Sequence, residues 1–182
     1  MPRKKVAEIK KKKVSKKGGG ERRKGSERPD ISAAGIKTVL KESSLSLRIS
    51  KEAQDKAVVL LQNCLEKLGK DLASLLLIAK RKTVTVDMIR AACQESSLGK
   101  VCDFQISKSP HERYPLSMAG VLRYTKVYMG ESNRFTADAK LQLLSVAIGY
   151  VGFLGQKAGC IAKNAAARKT IKERDLVAAT KC

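Results

Sequence analysis

Three blocks of this chain occur twice, in the same order, and that duplication limits its fold more than any other feature. Ser32–Lys41, SAAGIKTVLK, aligns with Ser117–Lys126, SMAGVLRYTK, 85 residues further on. Arg48-Ile49-Ser50 with Ala53 aligns with Arg134-Phe135-Thr136 with Ala139 at an offset of 86, and Arg81-Lys82-Thr83-Val84 with Arg168-Lys169-Thr170-Ile171 at 87. Three ordered matches, drifting by one residue each, read as a tandem duplication.

Each copy predicts a short helix, a loop, a long helix, a loop and a short helix. In the first, Ala53, Ala57, Leu60, Leu61, Cys64, Leu65, Leu68, Leu72, Leu75, Leu76 and Ala79 keep helical spacing through about seven turns. Ser50 stands before the run as an N-cap and Glu52 lies in its first turn, where a carboxylate suits the helix dipole. In the second copy Thr136 is the cap, Asp138 the first-turn acid, and Leu141, Leu144, Ile148, Val151, Ala158, Ile161 and Ala165 the stripe. A helix this long with one apolar side needs a matching surface, which the other copy supplies. Gly149, Gly152, Gly155 and Gly159 interrupt the second helix, each at about 1 kcal/mol relative to alanine. They mark either a close helix crossing or a bent helix.

The expected organisation is a disordered basic tail over residues 1–30, a first folded unit over 31–95, a connector over 96–116 and a second unit over 117–182. The tail carries a net charge of +9, a glycine break at Gly18–Gly20 and almost no large apolar side chains, so it has little to bury against the entropy of ordering. Leu98, Val101, Phe104 and Ile106 suggest that part of the connector packs on the core, and Pro115 fits the start of the next short helix or the turn before it.

Charge decides the class of partner. The chain of 182 residues has a formal net charge of +21, of which +12 lies outside the tail, and a charge of that size fits a polyanion or a membrane surface. The uncharged run Leu141–Gly155 is too short to span a bilayer, and the amino terminus lacks the apolar stretch of a secretory signal. The five cysteines, Cys64, Cys93, Cys102, Cys160 and Cys182, form no CxxC pair, which suggests neither disulfide framework nor zinc site but a reducing, intracellular setting. With His111 the one histidine, in a loop-like stretch, and no phosphate-binding or hydrolase motif, the expectation is a non-enzyme with no cofactor and no metal.

On these residues each unit resembles a histone fold, and the whole resembles a histone doublet, two core histones fused head to tail, over about residues 31–180. Ala79–Thr85, AKRKTVT, is similar to the second loop of histone four, while Val39–Lys41 and the surroundings of Glu66 are similar to histone two-B. Tyr114-Pro115-Leu116 and Gly130–Arg134 are similar to histone two-A, Arg134-Phe135 to histone three, and Arg168–Leu176 to the loop and third helix of archaeal histones. The fused pair is left open, with two-B then two-A leading over four and three on the strength of the connector. The Lys-rich tail resembles the fused histones of giant DNA viruses more than an archaeal doublet.

The resemblance implies an all-α fold of two tandem histone folds paired as an intramolecular handshake, with the first loop of each beside the second loop of the other. That would bring Arg48 to Arg168, Lys169 and Thr170, and Arg134 to Arg81, Lys82 and Thr83. An arginine can enter a compressed minor groove while lysine, threonine and backbone N–H groups hold the flanking phosphates, and the helix starts at Ser50 and Thr136 add their dipoles. The implied function is packaging of double-stranded DNA into nucleosome-like particles without base readout, with further doublets or histones as partners and neither membrane nor small-molecule substrate. The expected location is chromatin or nucleoid, or for a viral chain the host nucleus, viral factory and virion. A histone-fold transcription or architectural factor with a preferred site is the alternative; the repeated loops, and the lack of an aromatic RNA-binding run, argue against a basic RNA-binding protein. The family also clamps an arginine of the second loop to an acid seven residues on. Arg168 and Asp175 keep that spacing, whereas Arg81 meets Met88. Finally, nothing acidic lies between Asp138 and Glu173, which disfavours partners that read an acidic patch on the second long helix.

Overall fold

Four hydroxyl side chains begin four of the helices. Ser32 accepts from the Gly35 N–H, Ser50 from Ala53, Ser117 from Gly120 and Thr136 from Ala139, each satisfying a donor that the first helical turn leaves free. The structure, a computed structural model, describes residues 31–44, 46–94, 98–101 and 114–181. Within these residues the first unit holds α1 (Ala33–Ser43), α2 (Lys51–Ile78) and α3 (Val86–Gln94), and the second α4 (Met118–Met129), α5 (Ala137–Cys160) and α6 (Glu173–Ala179). Two-residue strands stand in the loops: β1 (Arg48–Ile49), β2 (Thr83–Val84), β3 (Arg134–Phe135) and β4 (Thr170–Ile171). The basic segment 1–30 lies outside the described residues, as do Phe104, Ile106 and His111 of the connector. Leu98 and Val101 are buried.

Each long helix is covered largely by the other unit. α2 packs on α4 and α6, and α5 on α1 and α3, with α2 and α5 crossing each other. The one-sided stripe expected for the second long helix is too narrow. Residues 142–149 are all buried, because α5 is enclosed on several sides, while Leu141 is 44% exposed and Ala165 is exposed as well. By length and composition Ala137–Ala165 could cross a membrane. Here Leu143, Leu144, Ala147, Val151 and Leu154 are each 0% exposed within the bundle, and packing accounts for their apolar character.

The two halves match residue by residue at their closest crossings. A Cβ added at Gly69 of α2 would lie 2.9 Å from the Thr125 carbonyl oxygen and 3.0 Å from the Tyr128 Cβ on α4. One added at Gly155 of α5, the counterpart of Gly69, would collide with Ser43 Oγ and sit 3.2 Å from the Leu40 carbonyl oxygen on α1. Leu40 and Ser43 are themselves the repeat counterparts of Thr125 and Tyr128. Gly155 and Gly159 therefore serve close helix crossing, whereas Gly152 faces open space.

This contrast predicts opposite effects one helical turn apart. Gly155→Val should force α1 and α5 apart at a cost of roughly 2–3 kcal/mol. Gly152→Ala should stabilise by about 1 kcal/mol through helix propensity alone. In thermal melts the first should fall by about 5–10 °C and the second rise by about 2–4 °C; shifts of the same sign would contradict the crossing.

The drift of the repeat has a structural location at each step. α4 has 12 residues where α1 has 11, which takes the offset from 85 to 86. The second step falls at the end of the long helices. The Arg81 N–H donates to the Leu76 carbonyl and the Arg168 N–H to that of Ala162, two acceptors still 86 apart. The left-handed residues that follow, Lys80 at φ 51° and Ala167 at φ 45°, are 87 apart. The added residue is taken up by a single π-helical turn, Ile161–Ala165, the form an α-helix adopts when one turn holds one residue too many.

Candidate nucleic-acid interface

The two ends of the molecule are each assembled from both units. At one end β1 pairs in parallel with β4, Arg48 opposite Thr170 and Ile49 opposite Ile171. At the other β2 pairs in parallel with β3, Thr83 opposite Arg134 and Val84 opposite Phe135. The bonds are equivalent: the Arg48 N–H donates to the Lys169 carbonyl at 3.0 Å and the Ser50 N–H to that of Ile171 at 3.1 Å. Likewise the Arg134 N–H donates to Lys82 at 2.9 Å and the Thr136 N–H to Val84 at 3.1 Å. The inward side chains of these strands, Val84, Phe135 and Ile171, are buried, so the alternate positions turn outward.

Outward are the cations. Arg48, Arg81, Lys82, Arg134 and Lys169 are exposed, as is Thr83, while Ser50, Thr136 and Thr170 are half-buried. Of the ten residues singled out from the sequence, the structure gathers Arg48, Ser50, Lys169 and Thr170 at one end, and Arg81, Lys82, Thr83, Arg134 and Thr136 at the other. Ser50 and Thr136 face inward to their helices, their oxygens accepting from Ala53 and Ala139. What they present outward is the start of α2 or α5, with the positive end of a 28- or 24-residue helix.

Arg168 takes a different part from its repeat partner Arg81. Its Nη2 donates to Asp175 Oδ1 at 2.7 Å, with side-chain exposures of 20% and 3%. Asp175 Oδ2 also accepts from the Lys172 N–H at 2.8 Å, so one carboxylate holds the second loop and starts α6. The Nε and Nη1 of Arg168 are buried without a hydrogen-bond partner among the described residues. This arginine is turned inward as a strut, and its end of the molecule presents Arg48 and Lys169 instead.

Several cations were missed by the sequence reading. Lys37 and Lys41 on α1, Arg123 and Lys126 on α4, and Lys140 on α5 flank the same two ends. Their signal was available as basic pairs one helical turn apart on the short helices, at positions 37 and 41 and at 123 and 126. Against them stands Glu52, whose carboxyl is held below its usual range by its own backbone amide and then by the Ser50 hydroxyl. Ionised, it favours the start of α2. Among the described residues no three His, Cys, Asp or Glu side chains gather to hold a metal.

No protein-family model matches this chain, and no curated protein does. Its structure is similar to the crystal structure of the histone from Methanopyrus kandleri, with a TM-score of 0.68 and 21% sequence identity over 82% of this chain and 93% of that one. The fold is a histone fold.

Proposed function

We propose that this chain is a histone doublet, two histone folds in one polypeptide paired with each other in a handshake, which binds double-stranded DNA without base readout and packages it in nucleosome-like particles with further copies of itself. The observation that supports this best is the double occurrence of one arrangement. A capped long helix, preceded by an exposed arginine, lies hydrogen-bonded beside an Arg-Lys-Thr loop of the other unit, at both ends. Two such sites at opposite ends of one molecule suit a duplex that follows the surface from one end to the other. Arg48 and Arg134 enter the narrowed minor groove as it faces inward, and Lys82, Lys169, Thr83, Thr170 and helix-start amides hold the adjacent phosphates.

Chromatin or nucleoid is the corresponding location; a viral chain would act in the host nucleus, the viral factory and the virion. Nuclease digestion of mixed-sequence DNA bound to the full chain tests the reading. Protection of a discrete length, wherever the protein sits, is the expected result. A single preferred site would instead favour a histone-fold factor. In the same assay the double variant Arg48→Ala, Arg134→Ala should lose the protected length and weaken binding by a few kcal/mol, with melting nearly unchanged because both side chains are exposed. Lys56→Ala, Lys67→Ala removes equal charge farther along α2 and should do much less. Equal losses from the two pairs would assign binding to total charge.

A further inference from the structure

We infer that the groove between α4 and the start of α5 is a binding site for phosphate oxyanions, present at one end of the molecule and not at the other. It is a cavity of about 440 Å³ in which Arg123, Lys126, Arg134 and Lys140 stand over an apolar floor that includes Leu122 and Phe135. Among the described residues no carboxylate lines it, and none of the four cations forms an ion pair. Four like charges around one concavity repel one another. An anion with several oxygens relieves that repulsion and takes a hydrogen bond from each. Arg134 is fixed there by its backbone bond to Lys82, so the groove opens directly onto the paired β2 and β3.

The repeat supplies an internal control. Thr38 stands where the second unit has Arg123, Gln54 where it has Lys140, and Glu42 where it has Val127. The corresponding groove of the first unit is lined by Lys37, Thr38, Lys41, Glu42 and Ser46, a carboxylate among its lysines. The Gln54 amide is engaged with the Ala33 carbonyl at 3.1 Å. At that end Arg168 is bound to Asp175, while at the four-cation end Arg81 is exposed. The two ends therefore hold phosphates unequally, and a duplex bound along the molecule is anchored at the β2 and β3 end.

The oxyanions can belong to a duplex backbone or to a free inorganic polyphosphate, and the duplex part rests on the function proposed above. The test uses the full chain, with inorganic tripolyphosphate and a mixed-sequence duplex as separate probes in titration calorimetry at fixed salt. Arg123→Gln, Lys126→Gln removes two charges from the groove, and Lys37→Gln, Lys41→Gln removes two from its counterpart. The first pair should weaken tripolyphosphate at least tenfold and the second less than threefold, with the same order on the duplex. Equal losses from both pairs, or tripolyphosphate binding unmoved by the groove variant, would overturn the site. Tripolyphosphate held at the groove by a chain that does not bind duplex would uphold the site and overturn the DNA function instead.

Discussion

A fragment ending at Ile106 should fail to hold a monomeric fold. Along α2 the side chains of Leu61, Leu65, Leu68 and Leu72 are each 0% exposed, as is Ile36 on α1. Much of what covers them belongs to the second unit, since α2 packs on α4, α5 and α6, and α1 on α5. Returning even these five side chains to water costs on the order of 10 kcal/mol at roughly 1.5–3 kcal/mol each. That equals the whole stability of an ordinary domain, about 5–15 kcal/mol. Circular dichroism of the fragment at micromolar concentration should show little helix, or helix whose melting temperature rises with concentration as two fragments pair. The intact chain, with both halves covalently joined, should melt at a temperature independent of concentration. A fragment that melts cooperatively as a monomer would contradict the interleaved core.

Asp175→Ala should be among the most damaging single substitutions. It strips the Arg168 guanidinium of Asp175, its one hydrogen-bonding partner among the described residues, in a place where Nε and Nη1 have none among them. It also removes the acceptor for the Lys172 N–H at the start of α6. Orphaning a largely buried charge costs about 3–5 kcal/mol, a fall of roughly 6–20 °C in melting temperature for a chain of this size. Replacing both partners, Arg168→Met with Asp175→Leu, should recover most of the loss, because the desolvation cost disappears with the charge. Arg81→Ala provides the comparison: that side chain is exposed, and stability should change by no more than about 0.5 kcal/mol. If Asp175→Ala melts like Arg81→Ala, the clamp does not hold the second loop.

The helices were legible because two independent signals agreed on them. Apolar periodicity marked α2, and hydroxyl residues at matching repeat positions marked where α2 and α5 begin. Pairing of the loops followed from the resemblance and not from periodicity, since two-residue strands are too short to show alternation. The role of the glycines was not legible. Gly152 and Gly155 are the same residue type three apart, and their roles differ because α1 passes one of them, a fact set by residues more than a hundred positions away. Arg81 and Arg168 are aligned and sit in nearly identical loops. What separates them is one residue of spacing downstream, Met88 or Asp175, and that was readable. The second unit's all-round burial was not, because a stripe assigned from spacing presumes one covered face.

The π-helical turn at Ile161–Ala165 bears on how the two halves came to differ in length. An extra residue inside a regular α-helix turns everything after it by about 100° about the axis, which would have swung the second loop away from β1 and buried the wrong side chains. Here the surplus is absorbed within one turn, at the outer end of α5 beyond the crossing with α1. Both Thr170 and Ile171 keep their register with Arg48 and Ile49. The turn marks a place where the gene could gain a codon without the two halves losing each other.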